Sequence, residues 1–569
     1  MPYLDLITVV VFSLVIVLCG MSFSGAGKDM KSYFAGGGAV PWWISGLSLF
    51  MSFFSAGTFV VWGAIAYKYG WVAVSIQWTM CLSGFLIGFV FAPKWQKTGV
   101  LTAAEFITRR LGYNTQKIYS YLFLLISIFT TGFFLYPVAK ILEVYTGIPV
   151  HTTTVAIGAL ILLYTAVGGM WAVVVTDVLQ FIVLTAAVLI VVPLALHRVG
   201  GVSGFVHQAP PDFFHLVNGE YSLGFLIAFG FYNLFFLSGN WAYIQRYTTV
   251  KDAKSAKKVG WLFGALYLIS PVIWMLPPMI YRLINPHLAG HDNEGAYLLI
   301  CKEVLPVGIM GLMLGGMVFA TSSSVNTTLN ISAGVFTNDL YKHLFPHSSQ
   351  KRLIRVARWT TILLGLLTIF IALLVPYMGG IVNVVISMGA LTGAAMYLPP
   401  LWALFSRRQT GASVLTITIL SLGINLIFKF LTPEVGLTLS RSMEMIVGVG
   451  VPILLLVIHE FVLAARRGTA SSYEHYVRMP PPAHQIEDLE AKAASQEADN
   501  RKGQRIIAVG VLITGALIAL LGLYSVATTS IVLVMGLVVV VIGLVMYTRK
   551  KAKTPVPQTE KAVTYDDKR

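Results

Sequence analysis

Charged residues are scarce in this chain of 569 residues, of which only 11% are Asp, Glu, Lys or Arg. An ordinary soluble domain carries roughly 25% charged residues, so a water-soluble enzyme is excluded. Cysteine is rarer still. The three cysteines, Cys19, Cys81 and Cys301, are too few for a disulfide framework. Apolar residues make up 56% of the chain and the mean hydropathy is +0.77, which excludes a disordered protein. A membrane protein with many spans remains.

Apolar stretches long enough to cross a bilayer recur along the whole chain. A spanning helix needs about 20 mostly apolar residues, and this length predicts fifteen candidate spans. The first span has neither a basic start nor a small-residue cleavage site, so we expect a retained helix and not a signal peptide. The candidates cover residues 4–22, 42–66, 71–93, 118–142, 150–168, 170–197, 222–244, 259–283, 303–337, 355–376, 380–405, 411–431, 442–465, 505–525 and 528–547.

Lys and Arg are concentrated in every second connection between these spans. With the N-terminus outside, 33 of the 40 Lys and Arg residues fall in seven segments that would be cytoplasmic. Cytoplasmic loops carry such an excess, so we expect an outside N-terminus and a cytoplasmic C-terminus in the plasma membrane. Loops near anionic lipid then explain the net charge of +16, and no nucleic-acid partner is expected. The seven segments are 23–41, 94–117, 245–258, 338–358, 406–410, 466–505 and 548–569.

Two predicted spans carry small or polar residues where a membrane helix is usually apolar. In the second span, residues 48–59 combine serines with Gly57 and Thr58, which suits a short unwound stretch with exposed carbonyls. Close packing through small residues is the alternative. The seventh span has a similar interruption near its middle, between Gly230 and Asn240. Two interrupted helices that open two five-span halves indicate an inverted-repeat transporter with its binding site at the midplane.

Hydroxyl side chains crowd the ninth span, where six of the eight residues from Thr321 to Thr328 are Ser or Thr. Positions 320, 323, 324 and 327 share one helix face, and such hydroxyls, with unwound carbonyls, suit a hard monovalent cation. Hydrogen bonds back to the same helix are the alternative. In the sixth span, the carboxylate of Asp177 needs a cation, a proton or water as its partner. An interfacial Asp that faces cytoplasmic water is the alternative there.

The chain offers little material for a soluble domain or a metal centre. Its longest polar pieces, 466–504 and 548–569, are too short for a catalytic or kinase domain. The predicted outside loop 283–302 contains four residues that often bind metals. A solvated loop is the favoured interpretation, and a metal site is the alternative. The four residues are His287, His291, Asp292 and Glu294.

Several motifs, in order along the chain, resemble the sodium/solute symporter family, which includes sodium-coupled glucose, proline and sialic acid transporters. The pattern Gly168-Gly-x-x-Ala172-Val173-x-x-Thr176-Asp177-x-x-Gln180 resembles its mid-chain signature. Residues 48–59 are similar to its first core helix, 315–342 to its sodium-site helix and 240–246 to the end of its sixth core helix. The resemblance runs from the first span to about residue 465.

This resemblance implies an all-α fold of the leucine-transporter type, with two inverted five-helix bundles and extra helices at both termini. It also implies a symporter in which inward-moving sodium carries a small polar solute by alternating access. We expect no enzyme activity and no cofactor besides the coupling sodium ion. The expected parts are 1–41 (N-terminal helix and inside loop), 42–197 (first repeat), 222–405 (second repeat), 406–465 (two accessory helices), 466–504 (cytoplasmic linker), 505–547 (C-terminal helix pair) and 548–569 (cytoplasmic tail).

The ion ligands carry over from the family by motif position. The shared sodium site would use the carbonyls of Met51, Phe54 and Ala320 and the hydroxyls of Ser323 and Ser324. Some members bind a second sodium, which would lie here between Asp177, Ser323, Asn326 and Thr327. Asn326 stands where a Ser is usual, so the resemblance leaves this second site open.

The solute positions depart from the sugar carriers of the family. Gln77 replaces their acid in the second core helix, Thr58 takes the late position of the first, and Tyr267 replaces a Lys of the seventh. Their Asn in the sixth core helix is kept as Asn233, and the inner aromatic gate aligns with Phe236. These positions imply a neutral, hydrogen-bonding site that suits a sugar or related polyol.

The sialic acid carriers resemble this chain at Ser55, Thr58 and Gln77. Their carboxylate-binding Arg, however, has no clear counterpart here. Lys140 lies near the outer end of the corresponding span, where contact with an anion is one interpretation and a loop-facing Lys is the favoured one. An organic acid or an amino acid therefore stays the alternative solute.

Two further alternatives concern the mechanism and the class of protein. Asp177 offers a route for proton coupling in place of sodium coupling. A membrane sensor on the same fold would need a soluble output domain after the last predicted span, where only residues 548–569 follow. We therefore expect a transporter.

Overall fold

The computed structural model describes residues 3–22, 40–100, 102–164, 170–288, 290–431, 434, 436, 438–466, 468–480, 489–524 and 529–548. Among these residues every regular element is helical. Gly168 and Gly169 of the mid-chain signature lie outside the described residues, as do the loop 23–39 and the tail from 549 onward.

The first half of the chain folds into one helix near the N-terminus and then a series that begins with a broken helix. Short π-helical turns, Thr58–Trp62 and Ile87–Phe91, interrupt two of its spans. The helices are α1 Tyr3–Met21, α2 Trp42–Met51, α3 Gly63–Tyr69, α4 Val72–Leu86, α5 Ala92–Thr98, α6 Ala103–Leu111, α7 Tyr113–Thr146, α8 Val150–Tyr164, α9 Met170–Arg198 and α10 Gly201–Gln208.

The second half begins with a bent pair of helices and ends in a long helical hairpin. A 3-10 turn, Gly290–Gly295, lies before α14, and a π turn, Val335–Tyr341, follows α15. The helices are α11 Leu223–Gly239, α12 Trp241–Thr248, α13 Ala253–Ile284, α14 Ala296–Val304, α15 Ile309–Gly334, α16 Lys342–Leu344, α17 Gln350–Leu374, α18 Gly380–Trp402, α19 Gly411–Leu426, α20 Arg441–Arg466, α21 Ser471–Arg478, α22 Leu489–Tyr524 and α23 Thr529–Thr548.

Each of the fifteen predicted spans contains helix in the structure. Among the described residues, eleven helices are long and apolar enough to cross a membrane, or twelve when the bent pair α11 and α12 is taken as one span. Three shorter apolar helices, Tyr3–Cys19, Trp42–Met51 and Val150–Leu162, occupy the remaining predicted spans. The number of crossings therefore stays a prediction.

The predicted unwinding of the second span is confirmed. Helix α2 ends at Met51, residues 52–55 are turn and bend, and helical structure resumes at Ala56. The backbone amide of Ala56 donates to the hydroxyl of Thr321 over 3.2 Å. A side chain of α15 thus satisfies one of the peptide groups that the break leaves without a helical partner.

The interruption predicted near the middle of the seventh span is wrong in its position. Helix α11 continues through Gly230 to Gly239, and the chain then bends by 63° at Asn240 before α12. Asn240 has extended backbone angles and its side-chain oxygen accepts from the amide of Ala242 over 2.9 Å, so it caps α12. The break depends on this capping Asn and not on the small and polar residues before it.

The broken helix α2 lies at the centre of the molecule. It packs against α9 and α13, while α15 packs against α1, α7 and α9. Close approach of α4 to α13 depends on glycine, because a Cβ on Gly84 would lie 2.7 Å from the backbone nitrogen of Gly264. The C-terminal hairpin, α22 and α23, packs outside this core against α9.

Candidate ion and solute sites

Two neighbouring cavities meet at the break that follows α2. The first, here called the polar cavity, has a volume of about 660 Å³ including its opening and is lined by Met51, Ser52, Asp177, Ser323, Ser324 and Thr327 among others. The second, here called the aromatic cavity, has about 1020 Å³ including its opening and is lined by Ser55, Thr58, Asn233, Phe236 and Tyr267 among others. Residues 51–58 thus contribute to both.

Asp177 is buried between helices. The interpretation of Asp177 as an interfacial residue that faces cytoplasmic water is therefore wrong. Only 4% of the residue is exposed. Its carboxylate accepts from the hydroxyl of Ser48 over 2.6 Å and from that of Ser323 over 3.0 Å. Arg246, itself 3% exposed, lies close enough to interact with it electrostatically. A buried carboxylate with an adjacent cation and hydroxyls is a typical functional feature of a membrane protein.

The hydroxyls of α15 divide into two groups. Those of Thr321, Ser322 and Thr328 donate to carbonyls one turn back over 2.7–3.0 Å, as the back-bonding alternative predicted. Ser323 instead donates to Asp177 on α9. Ser324 makes only a bond of 3.5 Å to the carbonyl of Ala320, so its oxygen is weakly engaged. Ser323 and Ser324 line the polar cavity, as does Thr327, and the ion-binding role of these hydroxyls stays a prediction.

The structure brings together part of the predicted ion ligands. Met51, Ser323 and Ser324 of the first set line the polar cavity, as do Asp177 and Thr327 of the second. Phe54, Ala320 and Asn326 are not among its lining residues. The ring of Phe54 stacks on Trp274 at 3.9 Å, and the carbonyl of Ala320 receives the hydroxyl of Ser324.

Four of the five predicted solute residues line the aromatic cavity, namely Ser55, Thr58, Asn233 and Tyr267. Gln77 is not among the lining residues, although it is 2% exposed and its side-chain nitrogen has no hydrogen-bond partner. The Asn233 side chain donates to Thr79 over 2.8 Å, and its oxygen has no partner. These amide groups have free hydrogen-bonding capacity for a polar ligand.

Phe236 lines the aromatic cavity and belongs to a cluster of aromatic rings that extends to the polar cavity. Its ring centroid is 6.3 Å from that of Phe53, 5.5 Å from that of Tyr243 and 5.4 Å from that of Tyr397. Phe53 lines the aromatic cavity, Tyr243 the polar one, and Tyr397 both. The gate that the sequence resemblance implies for Phe236 stays a prediction.

Sequence reasoning missed several residues that complete the two cavities. Tyr397 accepts a hydrogen bond from the side chain of Asn240 over 3.2 Å and so contacts the bend between α11 and α12. Arg246 is the last residue of the motif at 240–246, and the sequence indicated no role for it. Its burial beside Asp177 depends on the 63° bend between α11 and α12, which the sequence does not show. Thr392 on α18 and Thr130 on α7 also line the aromatic cavity. No local sequence signal marks these tyrosine and threonine positions.

The structure also bears on two predictions about the predicted outer side. Lys140 forms an ion pair with Glu143 over 2.8 Å, so its charge already has a partner. No group of three His, Cys, Asp or Glu able to hold a metal occurs among the described residues. The solvated interpretation is nevertheless wrong for Glu294, which is 4% exposed, accepts from Tyr136 over 3.1 Å and accepts from the amide of Ile381 at the start of α18 over 3.1 Å.

Comparisons with known proteins identify the family of the chain. The model of the sodium:solute symporter family matches residues 33–419. A sodium/glucose cotransporter of Vibrio parahaemolyticus is 27% identical over 67% of this chain and 76% of its own length. The sodium/sialic acid symporter SiaT of Proteus mirabilis is 28% identical over 62% of this chain and 74% of its own length.

The fold is shared with a solved structure. A substrate-bound, outward-open Na⁺-coupled sialic acid symporter superposes with a TM-score of 0.70 at 24% identity, over 83% of this chain and 99% of that one. This likeness confirms the predicted leucine-transporter-like fold.

Proposed function

Because the chain belongs to the sodium:solute symporter family and is therefore a sodium-coupled, multi-pass membrane transporter, we propose that it imports a neutral polar solute, a sugar or related polyol. One observation carries this proposal: no Asp, Glu, Lys or Arg is among the lining residues of the aromatic cavity. A carboxylate or ammonium group would be desolvated there without an opposite charge, which is costly in a membrane interior.

The polar and aromatic side chains of this cavity also suit a polyol. Asn233, Ser55 and Thr58 offer amide and hydroxyl groups to ligand hydroxyls. Trp62, Phe133 and Tyr232 offer apolar ring faces to the C–H face of a sugar ring. The similarity to a sodium/glucose cotransporter supports the same class of solute.

For the coupling ion, we assign sodium to the polar cavity. The backbone of Met51 and the hydroxyls of Ser323 and Ser324 are its proposed ligands, because hard cations take oxygen ligands. Phe54 and Ala320 complete the set through their carbonyls. Asp177 and Thr327, with Asn326, form a proposed second position.

Alternating access then uses the contacts already described. Sodium at the break of α2 fixes residues 51–55 against α15, and the aromatic cluster around Phe236 separates the solute from the polar cavity. The N-terminus is placed outside and the C-terminus in the cytoplasm, with the protein in the plasma membrane. The charge distribution along the sequence supports this orientation.

Uptake by purified protein in proteoliposomes tests the solute class. Labelled sugars, polyols, amino acids and organic acids are offered with an inward sodium gradient and, in parallel, with choline, at two pH values. We expect saturable uptake of a neutral sugar or polyol that depends on sodium and not on pH. Saturable uptake of only an organic acid or amino acid would overturn the proposal, and protein-free liposomes provide the baseline.

A further inference from the structure

Helix α1 lies outside both predicted repeats and carries a buried carboxylate, Asp5, in its first turn. Asp5 is 2% exposed. One of its oxygens accepts from the backbone amides of Gly308 and Gly311 over 2.6 and 2.9 Å, and the other accepts from the hydroxyl of Tyr145 on α7. A side chain of one helix thus caps the N-terminus of another, α15, which begins at Ile309.

This arrangement satisfies the physical needs of a helix N-terminus. The first amides of α15 have no partner within the helix, and a negative charge there is favourable for the helix dipole. Gly308 has a φ of 93°, which favours glycine, and its carbonyl accepts from the hydroxyl of Thr8 over 2.9 Å. Two side chains of α1 therefore bind the turn from which α15 starts.

The contact continues along α15 toward the polar cavity. A Cβ on Gly311 would lie 2.3 Å from the backbone oxygen of Asp5, so the two helices touch through their backbones. Gly315 then faces Phe12, and the rings of Phe12 and Phe319 meet edge to face at 6.4 Å. Phe319 directly precedes Ala320, so the contact reaches the level of the proposed ion ligands.

Helix α1 also packs against α9, which carries Asp177. Gly316 of α15 meets Leu184 of α9 on the other side, where a Cβ would lie 2.9 Å from that side chain. The bond between Ser323 and Asp177 therefore depends on the position of α15 along α9. At about 1.5 Å per residue, Ser323 lies roughly 18 Å from the capped amide of Gly311.

We propose that Asp5 is a positioning residue for the sodium site: it holds α15 in the axial register at which Ser323 and Ser324 reach the polar cavity. The inference rests on the proposed assignment of sodium to that cavity. Asp5 touches neither ion nor solute, and it acts through the helix that it caps. Its loss should therefore weaken sodium binding more than solute binding.

The experiment compares Asp5→Ala with Asp5→Asn in proteoliposomes. We expect Asp5→Ala to raise the half-maximal sodium concentration at least fivefold, while solute affinity at saturating sodium changes less than twofold. Asp5→Asn keeps an acceptor for the two amides and should recover most of the sodium affinity. Ser13→Ala, which removes a hydroxyl bonded to its own helix at the carbonyl of Val9, is the matched control.

Two further variants keep the test decisive if Asp5→Ala does not fold. Thr8→Val and Tyr145→Phe each remove one bond of the cap and should shift the sodium dependence in the same direction by a smaller factor. An unchanged sodium dependence in the folded variants, or an equal loss of sodium and solute affinity, would overturn the inference. The double variant Ser323→Ala with Ser324→Ala is measured beside them. If it alone shifts the sodium dependence, the cap has no positioning role; if it also fails, the ion assignment is wrong.

Discussion

A serine hydroxyl that donates to Asp177 keeps its lone pairs, and this explains how one residue can serve a carboxylate and an ion. Ser323 donates its proton to the carboxylate, so its oxygen can still face a cation in the polar cavity. Ser48 offers a second donor from α2. Without such donors and the nearby Arg246, the buried carboxylate charge of Asp177 would be less stable by on the order of several kcal/mol.

Removing the two hydroxyls proposed as sodium ligands should weaken sodium binding. In Ser323→Ala combined with Ser324→Ala, two of five proposed ligands are lost, and the alanine methyl groups offer no oxygen in their place. We expect the half-maximal sodium concentration for uptake to rise at least tenfold, or about 1.4 kcal/mol. Ser322→Ala removes a hydroxyl that only bonds to its own helix and should change little. Wild-type sodium dependence in the double variant would refute the site.

Asp177→Asn tests the second ion position. If the carboxylate holds an additional sodium, its neutralisation should lower the number of sodium ions moved per solute molecule. The charge-to-flux ratio in voltage-clamped proteoliposomes measures this number. An unchanged ratio would mean that Asp177 only serves Ser48, Ser323 and Arg246.

Gln77 and Asn233 each have one amide atom without a hydrogen-bond partner, and we expect both side chains to bind solute hydroxyls. Truncation to Ala leaves those hydroxyls unpaired at about 1–3 kcal/mol each, so we expect solute affinity to fall roughly 5- to 150-fold. Because Asn233 lines the cavity and Gln77 does not, Asn233→Ala should have the larger effect. Sodium binding measured without solute by calorimetry should stay unchanged.

Ser75→Ala is the matched control for this pair. Ser75 lies on the same helix as Gln77, and its hydroxyl donates to the carbonyl of Trp71 just before that helix. Ser75 does not line the aromatic cavity. Wild-type solute affinity in both truncated variants would contradict the polyol assignment.

At the scale of single elements, the two breaks differ in how well the sequence predicts them. The break after Met51 is predicted by local composition. Hydroxyl and small residues leave peptide groups accessible that bulky apolar residues would cover. The polar residues between Gly230 and Gly239 look similar, yet α11 runs through them with its helical bonds intact. What ends α11 is one capping residue, Asn240, whose effect depends on contacts with α18.

The same limit applies to the site itself. Periodicity predicted the face that holds Ser323 and Ser324, since it needs only the geometry of one helix. It could not predict which hydroxyls bond to their own helix, or that Arg246 reaches Asp177, because those contacts join elements far apart in sequence. Gln77 shows a second limit. Its position on the predicted helix did not ensure that its side chain lines the aromatic cavity.

The aromatic cluster between the cavities should act as one element. Phe236→Ala removes the ring that contacts Phe53, Tyr243 and Tyr397. We expect solute efflux without sodium to rise severalfold, because the loss of this ring removes its contacts with three other rings of the cluster. Phe231→Ala, on the same helix but 45% exposed, is the control. Efflux at the wild-type level in both variants would exclude a gate at this position.

At the scale of the whole molecule, loop charges and helix order give one predicted orientation. Gly219 lies in the exposed segment before α11, on the predicted outer side, and Lys254 lies at the start of α13, on the predicted inner side. Opposite faces for these two residues follow from the single span between them, formed by α11 and α12.

Labelling of single cysteines tests this orientation. In a background with Cys19, Cys81 and Cys301 replaced by Ala, Gly219→Cys should react with a membrane-impermeant maleimide in intact cells. A Cβ at Gly219 meets no atom within 4 Å, so the substitution is sterically free. Lys254→Cys should react only after the membrane is permeabilised. The reverse pattern would invert the predicted topology.

The break between α2 and α3 has a thermodynamic consequence, because consecutive residues of one short segment serve different ligands. Met51 and Ser52 line the polar cavity, while Phe53 and Ser55 line the aromatic one. Whatever fixes this segment for one ligand prepares it for the other. Linkage then requires reciprocity: the factor by which sodium tightens solute binding must equal the factor by which solute tightens sodium binding. The free energy stored in a concentration difference of one species is thereby exchanged for accumulation of the other.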